Sequence, residues 1–340
     1  MTGQGVGVAE VVVGVAVLLA ATGALVVPKR LASAVSFLVF GVLLSVLWAL
    51  AGAPDVALAE AALGAGVTGV LFIETVTRSR RDGSRDQSPP EGTTSLTRRR
   101  PSRHRLLGIA ATILGGLTLA TALTPALWRS AAPLAGAAPG LAEPVTEALP
   151  RTGVDHGVTG VLLNLRSYDT LLEVAVLLVA VLAVLAVSGP DATEEEPEGH
   201  PASPALAPLQ RAATAVLVPV LVLLAGWILF AGSTTTGGAF QAGAVLAAVL
   251  LLLHLAGRPV LSWSAAGSTA RTAIAVTVGL LAFVAVSLLG PFQGRAWLEL
   301  DPSVAGVVIV LLEALLTVSI GASLALIALA IRAPRQGGAR

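Results

Sequence analysis

The sequence predicts an all-α, polytopic integral membrane protein of about nine transmembrane helices in three blocks. Three observations carry this. Apolar residues make up 55% of the chain and charged residues 12%, with mean hydropathy +0.86, against roughly 25% charged in an ordinary soluble domain. Apolar stretches long enough to cross the hydrocarbon core, about 20 residues each, recur along the chain. The charges gather between those stretches, so the net +1 is far less informative than its distribution.

The expected spans are 6–27, 31–51, 55–77, 105–125, 168–188, 210–231, 238–257, 269–290 and 303–331. The first starts almost at the N-terminus, but its length and the spans behind it fit a retained helix, not a cleaved signal. Pro28, Gly52-Ala-Pro54, Gly257-Arg-Pro259, Gly290-Pro291 and Asp301-Pro302 stand where helix ends are expected. Lys29 and Arg30, the arginines after span three, Arg211, Arg258, Arg271, Arg332, Arg335 and Arg340 are cytoplasmic if the N-terminus lies outside and the C-terminus inside. Nine spans give that parity, with Arg129, Arg151, Arg166 and Arg295 as the exceptions.

Two linkers separate the blocks. Between residues 78 and 105 nine arginines face Asp82, Asp86 and Glu91, and the basic cytoplasmic linker is set at 78–104. The acidic linker, 189–207, holds Asp191, Glu194, Glu195, Glu196 and Glu198 with four prolines and no Lys or Arg. Both have the composition of disordered, solvated tethers. The basic run reads as a topology anchor, the alternative being anionic lipid or nucleic acid; no nucleic-acid partner is expected. The blocks are 1–77, 105–188 and 208–332, with three, two and four helices.

Glu60, Asp169, Glu173 and Glu313 fall within or at the edge of the apolar spans. A charge at mid-bilayer costs at least ~2.5–3.5 kcal/mol on insertion scales, so such groups face a polar path or a partner. Asp55 is expected to cap the helix that holds Glu60. Gly64, at i+4 from Glu60, and Gly66 offer room for a close helix contact. Asp169 and Glu173 share one helical face, where two carboxylates repel and can share a proton, and Arg166 is near enough to compensate them. Asp169 has a second reading, as a helix N-cap. Glu60 is either a structural hydrogen-bonding acid or part of an ion path. Glu313 either pairs with the polar loop between spans or serves transport. Gly237 and Gly238 permit a tight entry into span seven, and Gln241 adds a polar group near its start.

Other chemistry is excluded or unsupported. No cysteine means no disulfide, cluster or thiolate site. No phosphate loop, nucleophile–base pair or cofactor fingerprint is present. His104, His156 and His200 have no metal-site spacing. No cofactor, metal or catalytic residue is expected, and the chain does not read as an enzyme.

The segment Gly52-Ala-Pro-Asp55-Val-Ala-Leu-Ala-Glu60-Ala resembles the three-helix small subunit of membrane-bound hydrogenases, which is fused into the A subunit of Mrp/Mnh-type multisubunit Na⁺/H⁺ antiporters. The family pattern is Gly-Ala-Pro-Asp-Val-Ala-Leu-Thr-Glu-Ala, so only Ala59 departs. Asn164-Leu-Arg166-Ser-Tyr-Asp169-Thr-Leu-Leu-Glu173 is similar to the family's Asp-Phe-Arg-Gly-Phe-Asp-Thr-Leu-Gly-Glu, with Asn164, Ser167 and Leu172 as departures. Gly232-Ser-Thr-Thr-Thr-Gly237-Gly-Ala-Phe-Gln241 resembles the glycine loop of the B-type protein of the same antiporters, with Ser233 and Thr234 in place of His-Asn and Thr236 in place of Pro. In order, the blocks resemble the D-type hydrogenase protein, the E-type protein (equivalently the C-terminal segment of the antiporter's A-type protein), and the antiporter's B-type protein.

The resemblance implies an accessory subunit of a cation/proton antiporter in a prokaryotic cell membrane. Its partners would be the large proton-translocating subunits, other small subunits, the lipid bilayer, Na⁺ or another monovalent cation, and H⁺. The only lysine is Lys29, at a helix end, so the mid-helix lysine of the large subunits is lacking. The alternatives are a membrane arm of a redox-driven complex such as a membrane-bound hydrogenase, and an assembly scaffold.

Overall fold

The computed structural model describes residues 7–68, 142–188, 207–256, 258, 261 and 269–332. Contacts divide the chain into two compact units, Met1–Asp82 with Val145–Arg340, and Gly83–Pro144; of the second only 142–144 are described. Every regular element among the described residues is helical.

In the first unit α1 (Val8–Val26) and α2 (Arg30–Leu50) pair as a hairpin. Ser33 Oγ donates to the Ala24 carbonyl across it, and a Cβ on Gly23 would come within 3.3 Å of Ser36 Oγ. Val8, Val11, Val12, Leu18 and Leu19 stay exposed on α1, as befits a surface facing lipid or another subunit. Helix α3 (Pro54–Ala59) continues into a π-helix, Glu60–Thr68.

Short helices at Ala142–Ala148 and Gly157–Gly160 precede α4 (Tyr168–Ser188). Then follow α5 (Ala207–Ala231), α6 (Ala239–Leu255), α7 (Thr269–Phe292) and α8 (Ala305–Arg332). Helix α8 is the axis of the packing. Its Ile309, Leu312, Leu316, Ile320 and Leu326 are fully buried, and α4, α6 and α7 lie against it. Small residues allow the approach: a Cβ on Gly243 of α6 would be 2.7 Å from Ile320 Cγ2, and one on Gly321 would be 3.0 Å from Leu246. The Ser319 hydroxyl accepts from the Gly279 N–H at 2.8 Å and donates to the Ala275 carbonyl at 3.0 Å, both on α7.

Among the described residues six helices are long and apolar enough to cross a membrane: Val8–Val26, Arg30–Leu50, Tyr168–Val187, Ala212–Ala231, Ala270–Phe292 and Ala305–Ala330. Six of the nine expected spans are therefore present in that form. The expected span 105–125, the basic linker and the acidic linker up to residue 206 lie outside the described residues, and span 55–77 is described only to Thr68. Span 238–257 appears as the 17-residue α6, roughly 25 Å at 1.5 Å per residue and short of the ~30 Å hydrocarbon core. Its start is fixed by the glycine turn before it.

Candidate functional site

Residues 232–238 form the turn between α5 and α6, and three separate parts of the chain meet there. Gly232 and Gly238 both donate their N–H groups to the Ile228 carbonyl, at 3.2 and 3.0 Å, which folds the turn back on the end of α5. Gly238 has φ +118° and ψ −173°, a conformation essentially restricted to glycine. A Cβ on Gly232 would lie 2.6 Å from Gly238 Cα. The expected tight entry at Gly237 and Gly238 is what the chain adopts.

Two carboxylates grip this turn. Asp55 Oδ1 accepts the Gly237 N–H at 3.3 Å, across 182 residues of sequence. Glu313, 3% exposed on α8, accepts the Ala239 N–H two residues further on, at the start of α6. Gln241 Nε2 donates to the Asp55 carbonyl at 3.4 Å. Both acids therefore satisfy N–H groups left over at the start of α6. Asp55 does not cap its own helix as expected. Ala53 is the N-cap, without a side-chain bond, and Asp55 stands inside the first turn.

The third contribution comes from the segment before α4. His156 Nε2 lies 3.3 Å from Asp55 Oδ2, and its Nδ1 lies 3.3 Å from Thr159 Oγ1. Thr159 Oγ1 donates in turn to the Gly232 carbonyl, while the Asp155 and His156 N–H groups both donate to the Ser233 carbonyl, at 2.9 and 3.1 Å. Two buried oxygens here have no hydrogen-bond partner among the described residues, Glu313 Oε2 and Ser233 Oγ. Reading the sequence missed His156, because the loop around it has no motif and its partner is remote.

Glu60 is half-buried, and its carboxylate folds over Gly64: a Cβ on Gly64 would collide with Glu60 Oε1. The space expected to admit a neighbouring helix is thus filled by Glu60 itself. Both residues lie in the π-helical stretch Glu60–Thr68. Gly66 lies in the same π-helical stretch.

Asp169 pairs with Arg166 at 3.2 Å on the exposed side of α4, so the expected compensation is present. Asp169 and Glu173 line one cavity of about 650 Å³ with Leu63 from the π-helix, Phe240 from α6, and Ile320 and Leu324 from α8. They share a face, as expected, but the structure places them on this cavity and not on the turn that holds Asp55 and Glu313. Among the described residues no group of three or more acids or histidines is arranged to hold a metal ion.

Residues 15–81 match the MbhD family model, which describes the D-type component of MBH, and residues 209–331 match that of a domain related to the MnhB subunit of Na⁺/H⁺ antiporter. No curated protein matches the chain. The fold is similar to the solved structure of the Mrp complex from Dietzia sp. DQ12-45-1b, with a TM-score of 0.68 and 20% identity. That likeness covers 100% of this chain and 36% of the matched one, so the chain spans about a third of its length. Two family models thus match the chain in order, an MbhD-like region first and a region related to the MnhB subunit of Na⁺/H⁺ antiporter second.

Proposed function

We propose that the chain is an accessory membrane subunit of a multisubunit Na⁺ (or other monovalent cation)/proton antiporter, a fusion of D-type, E-type and B-type parts in a prokaryotic cell membrane. The observation that supports it best is the pair of family matches in one chain, D-like first and MnhB-related second. Its carboxylates Glu60, Asp169, Glu173 and Glu313 contribute to an ion or proton path. Its exposed apolar faces on α1 and α5 dock neighbouring subunits or lipid. The N-terminus is outside and the C-terminus inside.

The test uses the reconstituted complex and follows ΔpH-driven cation exchange, with subunit content read on native gels. Glu60→Gln keeps the shape and hydrogen bonding but removes the titratable proton, so transport falls while assembly survives; Glu60→Asp keeps part of the activity. Wild-type transport in the Gln variant leaves Glu60 a structural acid seated over Gly64. A second reading, a membrane arm of a redox-driven complex such as a membrane-bound hydrogenase, is favoured by the MbhD match over residues 15–81. Copurification and mass spectrometry separate the two, since hydrogenase and iron–sulfur partners belong only to the second.

A further inference from the structure

We propose that the 232–238 turn lines a proton path that enters at His156 and Asp55 and ends on Glu313, with His156 as the outer proton-accepting group. This rests on the antiporter reading above and adds the route and its mouth. Exposure falls along the route, from 17% and 15% for the His156 and Asp55 side chains to 3% for Glu313. The two carboxylates bind N–H groups on either side of Gly238, those of Gly237 and Ala239. Gln241 bridges the interval: its Nε2 bonds the Asp55 carbonyl, and its Oε1 is 3.8 Å from where a Gly238 Cβ would stand.

Buried polar atoms are nearly always paired, so an unpaired one calls for an explanation. Glu313 Oε2 is such an atom on a side chain 97% buried (the complement of 3% exposed), and Ser233 Oγ is another on the same turn. Both are oxygens able to accept from a water or to carry a proton.

Hydrogen bonding also selects the nitrogen that exchanges. The Thr159 hydroxyl proton is committed to the Gly232 carbonyl, so Thr159 Oγ1 can only accept from His156 Nδ1–H. Nε2 is then the position that gains and loses a proton, and it faces Asp55 Oδ2. A proton arriving on Nε2 passes to Asp55 and, through water along the turn, to Glu313 Oε2. Only N–H and O–H bonds form and break.

Among the described residues, the charged groups around His156 are Asp55 of α3 and the exposed Asp155 beside it in the chain. On the helices packed against Glu313 they are Asp169 and Glu173 on the α4 cavity, Arg271, exposed at the start of α7, and His254 at the far end of α6.

The test measures antiport by the reconstituted complex as a function of external pH. His156→Gln keeps a polar side chain but cannot titrate. It is expected to lower transport about a hundredfold, the low end of what a positioned proton-transfer group contributes, and to flatten the pH profile while native gels show full assembly. Wild-type rate and profile in that variant overturn the proposal. Should the variant fail to assemble, infrared difference spectra of the wild-type complex after a pH jump decide. A carboxyl band absent from Glu313→Gln must follow the external pH; a band that stays fixed overturns the path. A wild-type complex without antiport removes the antiporter reading, and the infrared result still judges the route.

Discussion

Gly238→Ala is the sharpest perturbation of the turn, and its cost follows from two geometric facts. At φ +118° and ψ −173° the backbone is in a region that costs a residue with a Cβ about 1–3 kcal/mol. The new Cβ would also stand 3.0 Å from Glu313 Oε1. The carboxylate must then give by a few tenths of an ångström, which strains its bond to the Ala239 N–H, a charged hydrogen bond worth at most about 1.5–3 kcal/mol. Together these give roughly 1–6 kcal/mol, and at about 2–4 °C per kcal/mol the melting temperature falls by at least about 2 °C. The assay is thermal unfolding of the purified chain in detergent, with Gly226→Ala as the control. Gly226 sits inside α5 with nothing within 4 Å of its Cβ position, and alanine there favours the helix by up to about 1 kcal/mol. Gly238→Ala melting together with wild type would refute the claim that turn geometry and the Glu313 bond are coupled.

The loop between α7 and α8 gives a pH prediction. The Asp301 carboxyl is held below its ordinary range by the side-chain and backbone hydrogen bonds of Ser303, with Arg295 adding to them. A lowered folded value stabilises the loop above the ordinary Asp pKa of about 3.9 and releases it as pH falls through the folded value. Protection of the Ser303 amide from hydrogen exchange should be constant down to about pH 5 and lost below about 4. Asp301→Asn should show no such loss, and an unchanged pH response in that variant would count against the bonding. For topology, reporter fusions after residues 90 and 198 should both report cytoplasm; an external signal at residue 90 overturns the three-helix first block.

Much of this is legible in the sequence. The apolar runs located six helices long enough to span, since helix length in a bilayer is dictated by thickness and not by tertiary context. Gly237 and Gly238 announced the turn, and pairing with the polar loop was one of the two readings of Glu313. What stayed hidden was what depends on remote or unusual geometry. Asp55 next to Pro54 reads as a local cap, because capping logic reaches only a few residues, whereas its acceptor role is fulfilled 182 residues away. Gly64 reads as a gap for another helix, but the Glu60 carboxylate folds over that position, a side-chain placement that no local pattern announces. His156 carries no local pattern at all.

The Ser319 hydroxyl bonds at once to the Gly279 N–H and to the Ala275 carbonyl, one helical turn apart on α7. In hydrocarbon, a polar group that loses its hydrogen bond costs several kcal/mol unless another group answers it. Because the answering group belongs to α8, sliding one helix along the other by a turn, about 5.4 Å, would strip both groups at once. The contact therefore acts as a detent that fixes the depth of α8 relative to α7. Glu313, less than two turns before Ser319 on the same helix, has its height in the membrane set by a serine that never touches it.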